Sequence, residues 1–238
     1  MTDADDAAGQ FADELAGDLL QHLAVHADPS RAESERAYLK SQRDFLGVSV
    51  PASRGVVRTF VREHGPFSME QVVELVDSLW DGPFFECRRA AVEVLEASVS
   101  MLGDGQLPLV AELVRDGETW ALVDPLATDV AGPIVMRGVT SVVGELLDSW
   151  SVDESFWVRR LSMLSLLPSL KQSDAEWTRF CGYADLMMGE REFFIRKAIG
   201  WVLRDISRRR PDDVRAFVMP RLDTMSGVTR REAIKYLM

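Results

Sequence analysis

Four short segments recur along this chain at nearly constant intervals. They begin at Phe85 (FECRRA), Thr119 (TWALVD), Phe156 (FWVRRL) and Phe193 (FFIRKA), separated by 34, 37 and 37 residues, and each leads into an apolar stretch. A fixed period in this range is the mark of a stack of helix pairs, in which no repeat buries its apolar face alone and neighbours supply one continuous core. Equivalent positions of successive repeats then line up along one surface. The apolar spacing agrees: MEQVVELVDSLW, RRAAVEVLEASVSML, LPLVAELVRD, VRRLSMLSLLPSL, AEWTRFCGYADLMM and FFIRKAIGWVLRDISRR place apolar residues at i, i+3, i+4 and i+7. Strand signals are sparse, and no Asn-Gly or Asp-Gly turn joins two β-branched runs. The expected fold class is all-α, a solenoid of helix pairs over residues 1–238 as one domain.

Charge at first argues against a polyanionic partner. With 27 Lys and Arg against 38 Asp and Glu the formal net charge is −11, whereas nucleic-acid binders neutralise phosphates with bases. The distribution is uneven, however. Residues 1–28 hold seven acids and no Lys or Arg; 31–62 carries a surplus of four bases, and 190–238 a surplus of five. Two basic clusters make an anionic partner plausible despite the total. The leader QFADELAGDLLQHLAVHA has helical spacing, and 1–28 is expected to form an acidic first helix closing one end of the solenoid.

Other classes are excluded more simply. No run of about 18 uncharged apolar residues occurs, so no membrane span is expected. The first residues show neither a basic region nor an apolar core of a secretory signal. Cys87 and Cys181, with three His residues, do not form a zinc-ligand pattern, so no metal is expected and a reducing cytoplasm is the simplest compartment.

Aromatic and charged residues interleave at helical spacing. Trp120 and Asp124 are four apart and share a face if TWALVDPLA is helical. Pro125 disfavours helix at Asp124, which leaves an N-cap role open as well. Trp157 and Arg160 are three apart, and Lys197, Trp201 and Arg204 form a base-aromatic-base stripe. Guanidinium groups that hold phosphates beside rings that pack on sugars or bases are what a nucleic-acid surface requires. Trp80, Trp150 and Trp177 read as core. On these patterns alone, a helical-repeat protein that binds an anion is as far as the inference reaches.

Particular blocks carry it further. YLKSQRDFLGVSVPASRG, TWALVDPLA, FWVRRLSML, EFFIRKAIGWVLRDISRRRPDDV and REAIKYL resemble the DNA alkylation repair family of HEAT-like-repeat DNA glycosylases, the AlkD type, from about Ala32 to Leu237. The resemblance implies a right-handed superhelical solenoid that grips duplex DNA in a basic groove and excises cationic N3- and N7-alkylated purines without flipping the base. Matched position by position, it implies Asp124, Trp120 and Trp201 as catalytic residues and Arg160 and Tyr38 at the DNA; the base-aromatic-base stripe adds Lys197 and Arg204 to the expected DNA contacts, and Ser49 stands at a DNA-binding position of the family. It implies no cofactor, no obligate protein partner and a monomer acting in base excision repair. At Ser49 the family pattern has Gln, which bears on substrate range. Two other readings remain: a non-catalytic HEAT-repeat protein binding damaged or branched DNA, and a protein-binding scaffold with incidental basic clusters. In the glycosylase reading, the surface around Arg160, Lys197 and Arg204 is expected to be positive although the molecule is not.

Overall fold

In the computed structural model, residues 3–237 are described, and among them all regular elements are helical, with one isolated bridge between Asp44 and Phe84. The chain divides into two compact units, Met1–Leu102 and Gly103–Met238.

The first unit holds α1 (Asp3–Ala24), α2 (Pro29–Leu39), α3 (Val50–His64), α4 (Met69–Trp80) and α5 (Phe85–Ala97). The acidic leader is helical as its spacing predicts. Ala12, Leu15, Ala16, Leu19 and Leu23 form its buried stripe, which packs on α3 and α4. Ser68 starts α4 with a capping box, its hydroxyl accepting from the Gln71 amide while the Gln71 side chain accepts from the Ser68 amide. Helix α2 buries none of its residues and is held by polar contacts. Asp28 caps it, and Glu35 pairs with Arg31 and Arg89. The adjoining loop is fastened from α5. Buried Glu86 accepts the backbone N–H groups of Leu46, Gly47 and Val48 at 2.8–3.1 Å, and Arg89 donates to the Val48 carbonyl at 2.7 Å. Gly47, at φ 80°, is needed there: a Cβ would lie 2.0 Å from the Asp28 carbonyl oxygen.

The second unit contains α6 (Leu107–Asp116), α7 (Trp120–Pro125), α8 (Gly132–Met136), α9 (Ser141–Ser151), α10 (Phe156–Leu164), α11 (Leu167–Leu170), α12 (Trp177–Met187), α13 (Phe193–Ser207), α14 (Pro211–Val218) and α15 (Gly227–Ala233). Each of the four recurring segments opens a helix: α5, α7, α10 and α13. Thr119 and Glu192 cap α7 and α13 with their side-chain oxygens. Helix α10 packs against both α7 and α13, so within this unit the recurring helices are stacked neighbours, as the period requires. Helix α13 is also pressed against α15. A Cβ on Gly200 would meet the Glu232 Cβ at 2.7 Å and the Thr229 carbonyl oxygen at 3.1 Å.

Asp124 is not an N-cap. Helix α7 continues through it to Pro125, then widens into a π-helical turn over Leu126–Ala131 before α8. Pro125 and Pro133 lack the amide that a regular α ladder would use, and the ladder shifts register between them. The Asp124 carbonyl accepts from the Thr128 hydroxyl at 3.0 Å.

Candidate active site

Asp124 and Arg160 form the centre of the candidate site. Arg160 lies on α10, one repeat after α7, and its guanidinium meets the Asp124 carboxylate edge to edge, Nε to Oδ1 at 2.7 Å and Nη2 to Oδ2 at 2.9 Å. Its remaining terminal nitrogen, Nη1, donates to the Phe194 carbonyl of α13 at 2.5 Å. One side chain therefore ties three successive repeat helices together. Arg160 is only 2% exposed, whereas the Asp124 side chain keeps 15% of its surface in solvent. A carboxylate offers about four lone-pair positions, and the fork of Arg160 uses two of them. The exposed part of Asp124 retains acceptor capacity for a water or a sugar.

Aromatic faces surround this pair. The Arg160 Cζ lies 5.8 Å from the Trp201 ring centre and 5.9 Å from that of Phe194. Trp201, on α13, is half-buried, and its Nε1–H donates to Asp205 at 3.1 Å, which fixes the plane of the indole. Trp120 starts α7 and is also half-buried; four residues before Asp124, it shares that residue's face. The structure thus brings together Asp124, Arg160 and Trp201, with Trp120 one turn before Asp124 on the same helix, and adds Phe194, which the sequence did not single out. Its signal was available, because Phe194 holds the second position of its repeat, as Trp120 and Trp157 do of theirs. Trp157 is a core residue instead, buried between Phe156 and Phe194 at ring-centre distances of 4.5 and 4.8 Å. Trp80 and Trp150 are buried as expected; Trp177 is half-buried, with Arg210 stacked 5.0 Å from its centre.

The base-aromatic-base stripe is less positive than its composition suggests. Lys197 Nζ donates to Glu232 Oε1 at 2.6 Å, Arg204 donates to Glu232 Oε2, and Arg204 Nε reaches Asp205 at 3.2 Å. The hydrogen bond from Lys197, reinforced by Arg204, holds the Glu232 carboxyl below the ordinary range. Each of Arg160, Lys197 and Arg204 is met by a carboxylate from a neighbouring repeat, Arg160 by Asp124 and the other two by Glu232.

Tyr38 and Ser49 belong to the first unit. Tyr38 stands on α2 with 72% of its surface exposed. Ser49 is the N-cap of α3, its Oγ accepting from the Ala52 amide at 3.3 Å. A serine there starts a helix, a task that Gln does poorly. The two thiols offer no competing nucleophile. Burial pushes Cys87 upward and Cys181, with the Asp185 charge adding, up to about 12. Among the described residues no cluster of three or more potential metal ligands occurs, and no helix is long and apolar enough to cross a membrane.

Comparison with known proteins agrees with this fold. The family model described as DNA alkylation repair enzyme matches residues 19–237. A solved structure named a predicted DNA alkylation repair enzyme from Enterococcus faecalis superimposes with a TM-score of 0.76 at 22% identity, over 89% of this chain and 97% of that one. At that identity the likeness establishes a shared fold. No curated protein matches the chain.

Proposed function

The chain belongs to the DNA alkylation repair enzyme family, and from that premise we propose that it hydrolyses the N-glycosidic bond of cationic N3- and N7-alkylated purines in duplex DNA, without extruding the base. The observation that carries this reading is the Asp124 carboxylate, clamped by a buried arginine that lies 5.8 Å from the Trp201 ring centre, with Trp120 one turn earlier on the same helix.

An alkylated purine is already positively charged, so when the C1′–N bond breaks its electron pair neutralises the leaving base and no strong general acid is required. What the protein must supply is stabilisation of an oxocarbenium-like sugar and a placed water. Asp124 supplies negative charge beside C1′ and accepts a hydrogen bond from the attacking water, whose proton then passes to the carboxylate or to solvent. The product is an abasic site. Trp120 and Trp201 present ring faces to the deoxyribose, where the ring quadrupole favours developing positive charge. Arg160 acts chiefly through Asp124, as a positioning residue that fixes both carboxylate oxygens. Tyr38, Lys197 and Arg204 are assigned to duplex contact, the latter two by exchanging Glu232 for phosphate. Ser49, the N-cap of α3, is assigned to duplex contact as well. The chain works as a monomer without cofactor, in the reducing cytoplasm that its two free thiols suit.

The test is base release from duplexes carrying 7-methylguanine or 3-methyladenine. Free alkylpurine with a matching abasic site supports excision. Salt-dependent duplex binding with no abasic product, at any enzyme excess, selects the non-catalytic DNA-binding reading instead.

A further inference from the structure

The C-terminal end of α13 borders a depression of about 520 Å³ lined by Lys171, Arg204, Asp205, Arg208, Lys235 and Tyr236. Four cations line it against one carboxylate. Asp205 is shared: it pairs with Lys171 at 3.3 Å and with Arg204 at 3.2 Å, and it also accepts the Trp201 indole N–H. Arg208 and Lys235 differ from the other two. Among the described residues neither has a carboxylate within salt-bridge distance. Both instead face the half-exposed ring of Tyr236, the Arg208 Cζ at 4.3 Å and the Lys235 Nζ at 5.7 Å from its centre. Two like charges gathered on one ring, neither paired to a carboxylate of the described residues, make a concave site of positive potential.

We propose that this depression is a phosphate subsite that takes one backbone phosphodiester of the duplex, held by Arg208, Lys235 and Lys171. The assignment rests on the DNA-directed reading of the Asp124 centre. Asp205 couples the two places, since it orients Trp201 on one side and borders the depression on the other. Arg208 follows Trp201 by seven residues, which at helical rise is about 10 Å. B-form DNA rises about 3.4 Å per nucleotide along the duplex axis, and the path of the strand itself is longer because it winds round that axis. A strand passing α13 therefore presents to the depression a phosphate about one to three nucleotides from the nucleotide packed on Trp201.

The experiment measures duplex affinity by fluorescence anisotropy over a range of salt for the full chain, the double variant R208A/K235A, and R215A as control. Arg215 is exposed, pairs with Asp212 and donates to the Leu237 carbonyl, but does not itself line the depression. The expected result is weaker binding by R208A/K235A, with the slope of log K against log salt reduced by about 1 to 2, and an unchanged slope for R215A. Neutral methylphosphonates placed singly along an alkylated duplex should weaken wild-type binding at one position about one to three nucleotides from the lesion. R208A/K235A should be indifferent to that position. An unchanged slope in R208A/K235A, or no methylphosphonate effect near that position, overturns the proposal. So does a titration in which inorganic phosphate binds the wild type and not the double variant while the duplex slopes coincide, because the depression then serves a free phosphate. Failure of the wild type to bind any duplex contradicts the DNA-directed reading itself, whereas binding with coincident slopes contradicts the subsite alone.

Discussion

Arg160 holds both oxygens of Asp124, at 2.7 and 2.9 Å, across 36 residues of sequence. That separation is the period of the repeat, and it makes the ion pair a bond between neighbouring layers. The same separation recurs in Lys197–Glu232, 35 residues apart, and Arg221–Asp185, 36 apart. In this chain the repeat that builds the core also delivers Arg160, Lys197 and Arg221 to carboxylates one repeat away.

Removing Asp124 by Asp124→Ala leaves the Arg160 guanidinium buried without its counter-ion. Breaking such a pair costs about 3–5 kcal/mol, and urea denaturation should report a loss near the lower end because Phe194 still accepts one N–H. Arg160→Lys keeps the charge but cannot grip two oxygens at once. It should fold, with a fall in excision rate larger than any fall in duplex affinity.

Trp201→Phe retains a ring face near Arg160 but loses the N–H that bonds Asp205. It should keep more excision activity than Trp201→Ala, which should lose about fivefold to 150-fold in single-turnover rate on the reasoning that a ring face beside a base or sugar contributes about 1–3 kcal/mol. Equal activity in the wild type and Trp201→Ala would remove the indole from the site.

Glu93 gives a pH signature. It is buried on α5, accepts the Ser53 hydroxyl at 2.7 Å, and has its other oxygen unpaired; burial raises its carboxyl to about 7. In the unfolded chain it titrates near 4.5. Between those values the folded state holds a proton that the unfolded state has released. Stability from this group is therefore full below about pH 4.5 and declines as pH rises to about 7. Glu93→Gln should match the wild type at pH 5 and exceed it at pH 8, by up to about 3 kcal/mol at 1.36 kcal/mol per unit, read from denaturant midpoints. A gain that is the same at both pH values would show that Glu93 does not titrate in this range.

Gly200→Ala tests the close approach of α13 and α15. The added methyl meets Glu232 Cβ at 2.7 Å, and the overpacking should cost about 1–3 kcal/mol. Because Glu232 carries Lys197 and Arg204, the variant should also alter the salt dependence of duplex binding.

The helices were legible because their apolar spacing and the recurrence at 34 to 37 residues are local facts about the string. Phe85, Thr119, Phe156 and Phe193 mark helix starts in the sequence and in the structure alike. The pairings were harder to read. Lys197 and Arg204 look like a free basic stripe until α15 brings Glu232 against them, and nothing within α13 announces that. Trp157 has the spacing of a surface aromatic, yet the stacking of α13 on α10 buries it. Pro125 suggested a helix start, and the chain instead absorbed it in a π-helical turn. Each of these depends on which helix comes to lie beside which, information carried by the repeat period and absent from any one helix.

The most direct test compares single-turnover base release from a 7-methylguanine duplex by the wild type and Asp124→Asn, with duplex affinity measured in parallel. Asparagine keeps one carbonyl oxygen for Arg160 and removes the charge. A drop in rate of about 10²–10³ with affinity nearly preserved is the expected result; release at the wild-type rate by a folded Asp124→Asn contradicts the account.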